Sequence, residues 1–267
     1  YHQNPYVHKA LDFPNDPMLS FMHWTHRTYP YGPTWLILTV PLSFLVNFFL
    51  PTFFMFKTLI SLSFLGTAFF VSKILNKIYP QNEVFGLVFF ALNPLVIVES
   101  LVSSHNDVVM MFFAVGALYF TLNNNYTRSI IMIVLSIGVK FATIFLIPVL
   151  IYVYITKKIG KKINWEKISY IIIVLMSATV ILVSYRTNFQ PWYLLYIIPF
   201  AALLSKKYYV FIPTVVISLF ALLQYTPFLL LGNWNSPVPA ILVWITNSSI
   251  LVSALLVLLR KVIKYKS

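Results

Sequence analysis

From residue 34 onward the chain alternates long apolar runs with short polar breaks. The runs read as helical spans over about 49–75, 84–102, 107–122, 129–156, 168–185, 191–204, 210–231 and 239–259. Several approach the roughly 20 residues that an α-helix needs to cross about 30 Å of hydrocarbon. Alternating segments of roughly 10 residues, the mark of a membrane barrel, do not occur. The pattern predicts an all-α fold, a polytopic transmembrane helical bundle. Residues 34–48 are apolar but short and carry Pro41, which interrupts them and suits a re-entrant or interfacial helix. Residues 1–33 have no such run. They are rich in Pro, His and aromatic residues, and Tyr29-Pro30-Tyr31-Gly32-Pro33 is a strong breaker. The chain thus divides into part of a first outer loop, 1–33, and a transmembrane domain, 34–267.

The breaks fix the expected topology. Lys73, Lys77, Arg128, the basic segment from Lys157 to Lys167, Lys206, Lys207 and the tail with Arg260, Lys261, Lys264 and Lys266 hold fourteen of the nineteen Lys and Arg residues. Cytoplasmic loops carry the excess of Lys and Arg. All these breaks share one side only if 129–156 enters and leaves on that side. It then forms a re-entrant hairpin of two short helices, each too short to span, turning near Gly138-Val139-Lys140. Such a turn is tolerated at depth where it lines a polar cavity. The alternative splits 34–56 and 57–75 into two spans, makes 129–156 one span, and places Lys73, Lys77 and Arg128 outside, against the charge rule.

Composition narrows the class. The chain is 60% hydrophobic, 18% aromatic and only 9% charged, too little charge to cover a water-soluble surface. The formal charge of +13 sits beside apolar spans, so membrane headgroups explain it and nucleic acid does not. The absence of Cys excludes disulfides, thiolate metal sites and Cys nucleophiles. The chain begins at Tyr1, with neither Met nor a basic region before an apolar stretch, and reads as lacking an upstream part.

All five His and four of the six acidic residues fall at the other boundary, the outer one. Asp12, Asp16, His23, His26 and Arg27 come from the first loop. Glu99, His105, Asn106 and Asp107 come from one break, Arg186, Gln190, Trp192 and Tyr193 from another, and Asn233, Trp234 and Asn235 from the last. Lys140 stands at the hairpin turn between apolar residues, where a charge is costly unless it faces a polar cavity. Lys140 suits a phosphate as a point charge, and equally a Lys that snorkels to headgroups or pairs with a carboxylate; Arg186 suits the same phosphate as a bidentate clamp, or serves as a plain interfacial anchor. Helix capping explains one of Asn106 and Asp107, but not Glu99 and His105 beside them. Trp192 and Tyr193 belong to an interfacial aromatic belt or stack on sugar faces. His23 and His26 have metal-ligand spacing only on a helix, with no further ligands evident, and no metal site is predicted.

In chain order, Asn4-Pro5-Tyr6, Tyr29-Pro30-Tyr31-Gly32-Pro33-Thr34-Trp35, Asn93-Pro94-Leu95 through Glu99 to His105-Asn106-Asp107, Val139-Lys140-Phe141 before Pro148, and Pro191-Trp192-Tyr193 before Pro199 form a recurring set. In that order they resemble the prokaryotic polyprenyl-phosphate-dependent mannosyltransferase group of the GT-C glycosyltransferases, over almost the whole chain. The resemblance implies a GT-C-like membrane enzyme of a prokaryotic plasma membrane, active on the outer side. It would move a hexose, mannose first, from a polyprenyl-phosphate donor to a glycan, lipid or protein acceptor. The usual catalytic carboxylate of this group precedes the Asn-Pro-Tyr segment, so the base is expected upstream of Tyr1 and is not assigned to Asp12 or Asp16.

On this reading Lys140 and Arg186 bind the donor phosphate. Glu99, His105, Asn106, Asp107, Gln190, Trp192 and Tyr193 bind substrate. No cofactor is expected, with a divalent metal left open. The rival is a transporter or flippase for a lipid-linked or polar substrate, which half-spanning helices and embedded charges also suit. It predicts inverted repeats, and none is visible.

Overall fold

The computed structural model describes residues 3–16, 19–20, 22, 24–45 and 47–266. The helices are α1 Pro33–Ser43, α2 Phe49–Ile78, α3 Glu83–Ala91, α4 Pro94–Ile97, α5 Asp107–Leu122, α6 Tyr126–Val139, α7 Ile147–Lys158, α8 Trp165–Thr187, α9 Ile198–Ala201, α10 Tyr208–Leu223, α11 Thr226–Leu231 and α12 Val238–Lys266. A π-helical turn, Val98–Val102, continues α4. Short 3₁₀ segments, Phe141–Leu146 and Pro191–Tyr196, lead into α7 and α9. The described residues contain no strand, only an isolated antiparallel bridge between Lys9 and Thr28. Five helical stretches are long and apolar enough to cross a membrane, or six if the bent pair Pro80–Ala91 and Pro94–Val102 counts as one span. The fold is an all-α polytopic bundle.

Side-chain contacts fix which helix ends lie together. At the basic end, Lys77 Nζ from α2 donates to Asn123 Oδ1 at 2.7 Å. Lys157 Nζ from α7 donates to Thr121 O and Leu122 O at the end of α5. Glu83 opening α3 accepts from Ser72 and Asn76 near the end of α2. Lys207 before α10 pairs with Glu166 at the start of α8, 2.8 Å away. Lys77 and Lys157 donate to carbonyls at the C-terminal end of α5, where the helix dipole favours a cation.

The helical hairpin is present. Tyr126 at the start of α6 meets Tyr154 near the end of α7, ring to ring at 4.7 Å. Both ends of the unit therefore lie at the basic end, and the chain reverses at Lys140, whose backbone is extended. Several expectations change. The run 191–204 is no single span but two 3₁₀ turns on either side of the four-residue α9, and 107–122 gives a sixteen-residue helix, shorter than a full crossing. The second arm is not short: six 3₁₀ residues followed by twelve α-helical ones reach about 30 Å at roughly 2.0 and 1.5 Å per residue. The first arm, fourteen residues, covers about 21 Å. Pro41 does not end α1 either, because the helix continues to Ser43.

The tip of the hairpin is held from the first loop. Gly32 N donates to Val139 O at 3.0 Å. The two glycine backbones meet: a Cβ on Gly32 would lie 2.4 Å from Gly138 O, and one on Gly138 would lie 2.1 Å from Thr34 Oγ1. The Tyr-Gly-Pro-Thr stretch, with Pro33 at the first position of α1, thus sets where Lys140 stands.

Candidate active site

The stretch from Asn93 to Asp107 is built against ordinary helix continuity. Asn93 caps α4, its side-chain oxygen accepting from Leu95 N at 3.0 Å, and Pro94 occupies the first turn. The helix then widens into the π turn, a feature that recurs at functional sites. Lys57 of α2 holds that turn, donating to Leu101 O at 3.0 Å and Val102 O at 2.6 Å. Ser104 adopts φ 59°, a left-handed conformation that costs a non-glycine residue energy. These devices turn the chain so that Glu99 and Asp107 face inward, both fully buried.

Asp107 opens α5, where the helix dipole favours a negative charge. Its Oδ2 receives Lys140 Nζ at 2.7 Å. The ammonium also lies 5.3 Å from the centre of the Tyr31 ring. The Tyr196 phenol lies beside the same carboxylate. A second pair runs alongside: Glu99 Oε1 accepts from Tyr225 at 2.7 Å, and Glu99 Oε2 lies 3.3 Å from His105 Nε2. His105 stacks on Trp192, ring centres 4.1 Å apart and planes 18° from parallel. Burial pushes the His105 imidazole down to about 4; the Asp107 carboxylate works against this, and the Lys140 ammonium adds to it. His105 is therefore neutral at physiological pH.

Five buried polar atoms on this one stretch have no hydrogen-bond partner: Glu99 Oε2, Ser100 Oγ, Ser104 Oγ, Asn106 Nδ2 and Asp107 Oδ1. A buried polar group left unpaired costs about 1–3 kcal/mol. All five lie between Glu99 and Asp107, and each is enclosed by protein.

Of the residues singled out from sequence, Glu99, His105, Asn106, Asp107, Lys140, Trp192 and Tyr193 come together. Tyr193 touches Trp192 and Tyr196 and bonds to Thr187 at 2.8 Å. Gln190 precedes the 3₁₀ turn, its carbonyl accepting from Tyr193 N. Arg186 stands apart. It is exposed at the end of α8, one residue before Thr187, with no hydrogen bond or ion pair among the described residues. In the first loop, Asp12 Oδ2 accepts from Lys9 N and lies 3.7 Å from His8. His23 lies outside the described residues, which hold no cluster of three or more His, Asp or Glu able to bind a metal.

Lys57, Tyr196 and Tyr225 did not stand out in sequence, and Tyr31 did so only as part of the Tyr-Pro-Tyr-Gly-Pro stretch. For Lys57 the available signal was a lone cation in an apolar run; the two tyrosines carried none.

A helical membrane bundle with a buried carboxylate–ammonium pair, aromatic platforms and unpaired polar atoms at one end defines the class: an integral membrane protein with a polar site at one end of its spans. A family model described as "Alpha-(1->6)-mannopyranosyltransferase, N-terminal domain" matches residues 1–156. That is more than half of the chain, and the chain belongs to this family of membrane mannosyltransferases. No curated protein and no solved structure matches it.

Proposed function

We propose that this mannosyltransferase takes mannose from a polyprenyl-phosphate donor and passes it to a hydroxyl acceptor at the non-cytoplasmic face, in the cluster around Asp107 and Lys140. The observation that carries the reading is the buried Lys140–Asp107 pair beside the His105–Trp192 stack. The fourteen basic residues at the opposite end support the sidedness. The family description suggests an α(1→6) linkage.

In the reaction the acceptor hydroxyl gives up its proton to a carboxylate base of the enzyme, and its oxygen attacks the anomeric carbon. The bond from that carbon to the phosphate oxygen breaks, and its electrons leave with the polyprenyl phosphate. Negative charge thus grows on the departing phosphate, and a fixed cation lowers the barrier most there. Lys140 is that cation. Its pairing with Asp107 holds the ammonium in place, and the carboxylate accepts sugar hydroxyls with its second oxygen. Arg186, exposed at the rim, meets the phosphate as the donor arrives from the lipid. Trp192 and the neutral His105 present a flat face to the sugar, with Tyr193 and Gln190 beside them. Glu99, fixed by Tyr225, and Asn106 bind further hydroxyls.

The test is transfer of radiolabelled mannose from polyprenyl-phosphate mannose by purified Lys140→Ala and Asp107→Asn, each checked for monodispersity in detergent. Loss of one fixed charge partner is expected to lower kcat/KM by about 100-fold or more. Full transfer in both well-behaved variants would reject this site.

A further inference from the structure

A second polar feature lies at the basic end, away from the cluster around Asp107. A groove of about 670 Å³ is lined by Asn124, Tyr126, Tyr154, Lys157, Lys158 and Lys161, with no carboxylate in its wall. Its floor is rigid. Lys157 Nζ donates to Thr121 O, Leu122 O and Asn124 Oδ1 at 3.0, 2.8 and 2.7 Å. Its wall is the edge-on pair of Tyr126 and Tyr154, and Tyr126 donates its hydroxyl to Asn124 Oδ1. Its lip is shaped by Gly160, which takes φ +71° at the end of α7. There Gly160 N reaches Lys157 O and Lys161 N reaches Thr156 O, which folds Lys161 back beside Lys158. Lys158 and Lys161 are exposed, and neither has a carboxylate partner among the described residues.

The surroundings of the groove select the ligand. Along α7, one to two turns toward the middle of the span, Ile151, Tyr152 and Ile155 are half or more exposed. A ligand with an anionic head in the groove would have apolar surface beneath it for a hydrocarbon tail. Free phosphate would gain nothing from that surface.

We propose that this groove binds the phosphate of an anionic phospholipid from the surrounding leaflet, headgroup against Lys158 and Lys161 and acyl chains along α7. The site is independent of the transfer reaction. The lipid ties the end of the hairpin arm that carries Lys140 at its other end.

Native mass spectrometry of the whole chain, delipidated and then titrated with phosphatidylglycerol or phosphatidylcholine, tests this. Wild type is expected to retain phosphatidylglycerol preferentially. Lys158→Gln/Lys161→Gln is expected to bind it at least tenfold more weakly, since each Lys near an anionic surface contributes appreciably. Arg260→Gln/Lys261→Gln removes two charges elsewhere on the same end and is expected to leave binding unchanged. All four residues are exposed, so detergent melting curves should match wild type. Equal losses in the two double variants would mean diffuse charge attraction and overturn the proposal. Undiminished binding in the groove variant would do the same, as would displacement of the lipid by millimolar inorganic phosphate.

Discussion

At the scale of single residues, two contacts decide the geometry of the site. The first is the Gly32–Gly138 approach, which has no room for a Cβ on either side. Gly138→Ala places a methyl carbon against Thr34, and overpacking of this kind costs about 1–3 kcal/mol. The expected outcome is a lower melting temperature together with lost transfer, because Lys140 lies two residues on. Thr34→Ala in the same chain should recover part of both, since it removes the atom that the methyl meets. The second contact is the burial of His105. The unfolded chain holds a proton on this residue below about 6.5 and the folded one only below about 4. Its contribution to stability is therefore present above 6.5 and is lost as pH falls from 6.5 to 4. A shift of this size corresponds to the order of 3 kcal/mol at most. Melting temperatures of wild type and His105→Gln, measured across that window, should converge as the pH falls. A constant difference would show that the imidazole stays protonated in the fold.

At the scale of elements, the π turn after α4 is the device that turns Glu99 and His105 inward. Lys57 supports it from α2 by donating to two of its carbonyls. Lys57→Met keeps the apolar stem and removes the donor. We expect at least tenfold lower transfer with a modest loss of stability, because Glu99 and His105 lose their fixed positions while the bundle core is untouched. A KM effect with unchanged kcat would instead place the turn in substrate binding alone. The Asn93 cap acts at the other end of α4, where Asn93→Ala should cost about 1 kcal/mol, read as a shift in detergent melting. The hairpin was visible as an element because basic residues flank both of its ends. The length of its second arm was not, because 3₁₀ residues rise further per residue than α-helical ones.

For the molecule as a whole, the defining property is polarity of its two ends: cations at one and the Asp107 cluster at the other. A cysteine-free chain makes this directly measurable. Asn235→Cys, beyond α11, and Lys161→Cys, in the basic segment, are both exposed positions. In intact cells a membrane-impermeant maleimide should label Asn235→Cys, and it should reach Lys161→Cys only after permeabilisation. The reverse pattern would put the site on the cytoplasmic side and remove the outer-face part of the proposed function.

Hydrophobic run lengths and the placement of Lys and Arg, both properties of the linear chain, sufficed for the class of fold and for the hairpin, but not for which runs form full spans. Short-range order also gathered His105, Asn106 and Asp107, because they are neighbours. The sequence could not join Asp107 to Lys140, thirty-three residues away, or Glu99 to Tyr225, one hundred and twenty-six away. Nor could it set Arg186 apart from them. Those pairings depend on how helices lean and on where a glycine lets two backbones touch. Only tertiary packing decides them, since a lone Lys or Tyr in an apolar run carries no local mark of the partner it will meet.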